Sequence, residues 1–381
     1  MKKKYWKRKI ISLTVILSLV SVTSKILAET VPMVGAFAGK AAIVSASLSL
    51  PEGGNSILYP EIENSKGDEE TGQLIIDKSD YKKDFTTNQS NSNQDIDSPP
   101  KANFSEEQIS QFPENNGPII RKHYQAGFGE QYINIGGLAY VRNMTNLPNQ
   151  VVIDANNSPP AFNIDKSKDP QVLIMHTHTT ESYELIEKDY YDNNFPTRSK
   201  DTSVSVVRVG EEITKGLQQA GINVIHNTTI HDDPAYNGAY NRSSQTIQEI
   251  LKEYPSIKVV LDIHRDAIST DAGERYAPIA DINGKNASQI MIISGCDDGT
   301  MNFPNYSQNL SFACLLQRQT ESDYPGLTRP ISFKYKHYNQ SLTPGSLLIE
   351  FGGHANSVDE AIYAGWLFGK SLARALQTIQ N

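Results

Sequence analysis

Residues 244–267 read SQTIQEILKEYPSIKVVLDIHRDA, and the stretch changes period part-way along. Ile247, Ile250 and Leu251 recur three and four residues apart, the spacing that gathers side chains on one face of a helix from about Ser244 to Tyr254. From Lys258 to Ile263 the apolar residues run on with no helical gap, as in a buried strand, and that strand ends on His264. The same alternation continues on both sides. Upstream, Val172 to Met175 forms a strand run that enters His176, and Val206, Val209, Ile213 and Leu217 repeat at helical spacing. Gly221 then closes that helix before the strand Ile222 to Ile225. Downstream, Gln289 to Ser294 reads as strand, Leu310 to Gln317 as helix, and Leu347 to Ile349 as a strand running into Glu350. The last helix opens with the capping box Ser357-x-x-Glu360 and continues to about Leu376. A short hairpin is expected over Tyr132 to Arg142, with Gly136-Gly137 at its turn. Strands alternating with helices imply an α/β fold, a mostly parallel central sheet with helices on both faces.

Three of these strands end in an ionisable residue: His176, His264 and Glu350. Ligands of open α/β sheets bind beyond the carboxyl ends of the strands, so side chains far apart in sequence are expected to meet there. With Glu181 close behind His176 in HTHTTES, the set is what a catalytic zinc site needs. Three nitrogen or oxygen ligands (His176, Glu181 and His264) hold the metal, and a further carboxylate, Glu350, acts as general base. His178 shares the side of His176 only if the segment stays extended, and it is the alternative ligand or an orienting neighbour. Arg265 is a candidate clamp for a substrate carboxylate, and Asp266 a candidate partner for a histidine ligand. Gly352-Gly353 after Phe351 suits a substrate-facing turn. Neither HExxH nor GxSxG occurs. A thiol hydrolase built on Cys296 and His264 is the competing enzyme reading, and an inactive binding scaffold the competing non-enzymatic one.

The amino-terminal part has a different texture. Six of the first nine residues are basic, and an uncharged, mostly apolar run follows from Ile10 to Ser24. Residues 1–28 therefore read as an export signal or membrane anchor that places the rest outside the cytoplasm, with cleavage at Ala28 as the alternative. Residues 29–118 read as a low-complexity extracytoplasmic spacer, because the stretch beyond residue 50 holds too few apolar side chains to offset the entropy of ordering it. Residues 119–381 read as the catalytic domain. A net charge of -8 with no basic face outside the first residues argues against nucleic acid as a partner. The two cysteines, Cys296 and Cys314, are either a disulfide or two separate buried thiols.

The segments VLIMHTHTTESY, YNGAYNRSSQTIQEILKEYPSIKVVLDIHRDA and LLIEFGGHANSVDEA, in that order, resemble the stage II sporulation protein P family of endospore-forming bacteria. The resemblance covers roughly residues 130–376. It implies an amidase-like fold related to the zinc-dependent N-acetylmuramoyl-L-alanine amidases, with Zn2+ as cofactor. It also implies cleavage of the stem peptide from the glycan, endopeptidase activity on cross-links, and degradation of septal peptidoglycan during engulfment beside stage II sporulation proteins D and M. The amidase pattern of two histidines, a glutamate ligand and a glutamate base falls on His176, His264, Glu181 and Glu350. In the general amidases the glutamate ligand lies on a helix farther downstream, where this chain offers Glu211 and Glu212. Glu181 is the preferred ligand here.

Overall fold

The computed structural model describes residues 99–167 and 169–381. The expected anchor and most of the expected spacer lie outside the described residues. Among the described residues no helix is long and apolar enough to cross a membrane. The folded part starts before residue 119. Ser105 caps the short helix α1 (Glu106–Ser110), and the Ala102 amide donates to Asp359 Oδ1 at 2.7 Å.

An eight-stranded sheet forms the centre. Its strands are β2 (Tyr132–Gly136), β3 (Ala139–Asn143), β4 (Val172–Met175), β6 (Val224–His226), β7 (Val259–Asp266), β10 (Ile290–Cys296), β11 (Ile331–Tyr335) and β12 (Gly345–Gly353). Their spatial order is β2-β3-β11-β10-β12-β7-β4-β6. The sheet is mixed: β2 pairs antiparallel with β3, and β10 antiparallel with β12, while the other neighbours are parallel. The expected hairpin forms, with Gly137 at φ 57 in its turn. A second sheet that the periodicity does not announce joins β5 (Tyr190–Tyr191), β1 (Gly117–Lys122), β8 (Arg275–Ile282) and β9 (Lys285–Ser288) in that order.

Strand alternation sorts the faces of the central sheet. Ile174, Leu261, Ile263 and Ile349 point to one side. There they meet residues of α3 (Val206–Gln219), α5 (Tyr306–Asp323) and α6 (Val358–Gln377), with α2 (Gln150–Asn157) against α5. Leu173, Met175 and Val260 point to the other side, against Ile247 and Ile250 of α4 (Ala239–Glu253). Helices α3 and α6 pack where Gly216 faces Gly369, and a Cβ on residue 216 would lie 2.8 Å from the Gly369 carbonyl carbon. One face is thus covered by several helices and the other mainly by α4. Beside α4, Leu348, Met291 and Ile293 have the half-buried rings of Tyr240 and Tyr338 packed against them.

The two cysteines are separate, buried thiols, which decides between the two expectations.

Candidate active site

The loop that follows β4 decides which histidines meet. Residues 177–180 form a turn instead of staying extended. The turn is buried, and its hydroxyls are used: Thr179 Oγ1 donates to the His176 carbonyl at 2.9 Å, and Thr180 Oγ1 to Asp232 Oδ2 at 2.6 Å. His176 therefore keeps the direction of Ile174, toward α3, while His178 is carried to the α4 side.

This corrects the expected ligand set. His176 Nδ1 donates to the Ile263 carbonyl at 3.0 Å, and its Nε2 accepts from His226 Nε2 at 2.9 Å. Both rings lie under α3 at Gly210, where a Cβ would come within 2.5 Å of His226 Nε2 and 2.9 Å of His176 Nε2. Burial pushes His176 down to about 4 and His226 well below its ordinary value, so the pair is neutral and internally satisfied. Both nitrogens of His176 are thus hydrogen-bonded on the α3 side of the sheet. His231 is also spent on structure: its ring bridges the His176 carbonyl and Thr246 Oγ1.

On the α4 face a different group assembles. Asp262 and His264 stand two residues apart on β7, and Glu350 of β12 is in parallel register with His264. Register partners on adjacent strands share a face about 4.8 Å apart. His264 Nδ1 is 3.6 Å from Glu181 Oε2, and its Nε2 is 3.0 Å from Asp262 Oδ1. The His178 ring centroid is 5.3 Å from that of His264, and it stacks on Tyr236 at 4.3 Å. Behind these groups, Arg198 contacts Asp232 Oδ2 at 2.7 Å and Glu181 Oε1 at 3.5 Å. His178, Glu181, His264 and Glu350 are each 3% exposed or less, while Tyr236, at 44%, forms a solvent-facing lip.

Sequence reasoning missed Asp262 and Asp232. Asp262 carried a legible signal, a charge inside an apolar strand and two residues from His264, which strand alternation puts on the same face. Asp232, in the HDDP segment, is brought in only by the loop fold. Two other expectations are displaced. Arg265, next along β7, faces away from His264. Its guanidinium donates to the carbonyls of Ser182, Thr197 and Asp266, and its amide donates to Glu181 Oε2. It is a buried tie that holds the Glu181 loop and no substrate clamp. The Asp266 carboxylate accepts from Arg329 at 2.9 Å, and its backbone carbonyl accepts from the His354 amide at 2.9 Å. Glu211 and Glu212 pair with Arg208, and Glu212 also with Lys215, so both are occupied on α3.

The Cys296 reading fails on position. Antiparallel β10 pairs Met291 with Glu350 and Ile293 with Leu348, so Cys296 sits at the far edge of the sheet. Five residues of strand separate it from the level of His264, roughly 17 Å. Burial and the neighbouring Asp297 and Asp298 also push its thiol up to about 12, away from the reactive thiolate.

Electrostatics mark the α4-face group as short of positive charge. Burial works against a charged His264, yet Asp262, Glu181 and Glu350 outweigh it and hold the imidazole at about 10. Asp262 stays ionised despite burial, kept low by His264 and by the amide and hydroxyl of Thr177. Three carboxylates around one imidazole favour a bound cation. His178, Glu181 and His264 are the right donor types for zinc, and the 3.6 Å between His264 Nδ1 and Glu181 Oε2 is close to the roughly 3.3 Å between ligand atoms of one tetrahedral zinc. Among the described residues no three such groups already converge on one point. With Asp262 on Nε2, the Nδ1 of His264 faces Glu181.

The family model described as Stage II sporulation protein P (SpoIIP) matches residues 45–376. This chain belongs to that family. A relative, Stage II sporulation protein P of Bacillus subtilis (strain 168), is 28% identical over 224 residues, 54% of this chain and 51% of the relative. The match thus spans about half the length of that curated relative. Among solved structures, N-acetylmuramoyl-L-alanine amidase AmiC2 of Nostoc punctiforme is 13% identical, with a TM-score of 0.33 over 55% of this chain and 96% of that one. The CwlD amidase from Clostridioides difficile, solved in complex with the GerS lipoprotein, is 13% identical, with a TM-score of 0.34 over 55% and 99%. Both likenesses are distant.

Proposed function

We propose that this chain is a zinc-dependent peptidoglycan hydrolase that cuts the amide between N-acetylmuramic acid and L-alanine, with endopeptidase activity on cross-links. Its setting is septal wall degradation during engulfment, outside the cytoplasmic membrane, where residues 1–28 hold it beside stage II sporulation proteins D and M. Family membership and the basic-then-apolar amino terminus support that setting. The observation that carries the chemistry is the meeting of His178, Glu181, His264 and Glu350 on one face of the sheet, buried and rich in carboxylate.

In this reading His178, Glu181 and His264 hold the metal, with His178 in the place expected for His176. Zinc, when bound, polarises the scissile carbonyl and lowers the pKa of water to about 7. Glu350 accepts a proton from water as the oxygen attacks the amide carbon, then gives it to the departing L-alanine amine, which closes the acid–base cycle. Asp262 holds His264 by Nε2 and fixes its ring. Tyr236 and Tyr240 flank the entrance, with flat faces suited to sugar or peptide.

The test is digestion of purified sacculi by the full-length protein, before and after chelation. We expect new L-alanine amino termini to appear, to cease with chelator and to return with zinc. Undiminished release without metal overturns the zinc reading. Binding to sacculi with no release under any metal condition favours the wall-binding scaffold instead.

A further inference from the structure

Behind the His264–Asp262 ion pair, hydrogen bonds continue away from the carboxylate. Thr177 Oγ1 donates to Asp262 Oδ2 at 2.7 Å and lies 2.8 Å from Ser243 Oγ. With the one hydroxyl proton of Thr177 spent on Asp262, Ser243 shares its own between Thr177 and the Tyr240 carbonyl, which lies 3.2 Å from Ser243 Oγ. Ser243 Oγ in turn accepts from Asn339 Nδ2 at 3.1 Å, and the second amide proton of Asn339 goes to the Tyr240 carbonyl at 3.0 Å. The contacts therefore run unbroken from Asn339 through Ser243 and Thr177 to the carboxylate paired with His264. Ser243 and Thr177 are fully buried.

The far end of this chain is a strained turn. Tyr338 and Asn339 have φ of 44 and 57, the left-handed region that costs an L-residue energy and that asparagine tolerates better than tyrosine. Two such residues in succession persist only where the surroundings hold them. The Asn339 amide is one such hold, since it ties the turn to α4 at Tyr240 and Ser243. The same turn sets the Tyr338 ring 5.3 Å from that of Tyr240, beside the exposed edge of the site.

We infer that Asn339 is a positioning residue for the metal site: its amide anchors a hydrogen-bond chain, Asn339–Ser243–Thr177–Asp262, that orients His264 for metal binding and couples that orientation to the Tyr338–Tyr240 wall. The inference rests on the zinc reading above. A carboxylate at position 339 keeps the shape and the turn preference but cannot donate, and glycine keeps the backbone conformation but has no amide.

The test is calorimetric zinc titration of the full-length protein and of Asn339→Asp and Asn339→Gly, with thermal melting of each. We expect zinc affinity to fall about tenfold in both variants, the lower end of what losing an outer partner of a metal ligand costs. We also expect kcat on sacculi to fall more than KM rises. A role confined to the turn predicts the opposite, with Asn339→Gly melting no lower than the parent and binding zinc equally. Unchanged zinc affinity in Asn339→Gly overturns the inference and leaves the zinc reading standing. If the parent protein binds no zinc, the reading falls and the inference falls with it.

Discussion

The two faces of the central sheet hold histidine groups of similar composition and opposite character. Under α3, His176 and His226 donate and accept between themselves and the Ile263 carbonyl, and burial keeps both neutral. Under the lip of α4, His178 and His264 sit among Asp232, Asp262, Glu181 and Glu350, and the last three hold His264 charged. Depth does not separate them, because His176 and His264 are both fully enclosed. The counter-charges differ: a neutral pair that satisfies itself is structure, and an imidazole outnumbered by carboxylates is a place for a cation.

Substitution breaks the comparison most sharply. His178→Ala removes a proposed ligand, and hydrolysis of sacculi should drop by about three orders of magnitude or more, with zinc lost and the melting temperature of the metal-free protein little changed. His176→Ala should do the reverse. It opens a cavity under α3 and strands the His226 proton and the Ile263 carbonyl, so denaturant unfolding should show a loss of about 2–4 kcal/mol with zinc stoichiometry retained. If His176→Ala loses zinc at unchanged stability, the two faces have been assigned the wrong way round.

A smaller effect sharpens the contrast through pH. His176 is depressed to about 4, so its unfolded form takes up a proton that the native form refuses, and stability falls as pH drops from about 6.5 toward 4. His264 is raised to about 10, so its contribution to the metal-free protein is complete below about 6.5 and is lost as pH climbs toward 10. The windows do not overlap. Unfolding midpoints of chelated protein across both should show the acid-side slope shrink in His176→Gln, leaving the part that the likewise depressed His226 contributes, and the alkaline-side slope shrink in His264→Gln. A slope unchanged by its own substitution means another group carries it.

Much of this was legible in the chain. The period change at residues 244–267 located α4 and β7, although α4 begins at Ala239, five residues before the first helical residue read from spacing. His264, Glu181 and Glu350 were found as strand-end and near-strand residues, because the carboxyl edge of a sheet is where distant segments converge. The choice between His176 and His178 was not legible. It depends on whether the residues after Met175 stay extended or turn, and the buried threonine bonds that fix the turn go to Asp232 and Asp262, remote in sequence. Asn339 was also hidden, since its meaning lies in a left-handed backbone conformation and in partners about a hundred residues away.

The sequence by itself determined the alternation of helices and strands, the carboxyl-edge location of His264 and Glu350 and the kinds of residue that gather there. Apolar periodicity and residue type are local properties that survive without coordinates. Only the tertiary structure decided that the sheet is mixed, that Cys296 lies at the wrong edge and that His178 faces His264. Facing is set by strand direction and by one buried turn, and each depends on contacts between segments far apart in the chain.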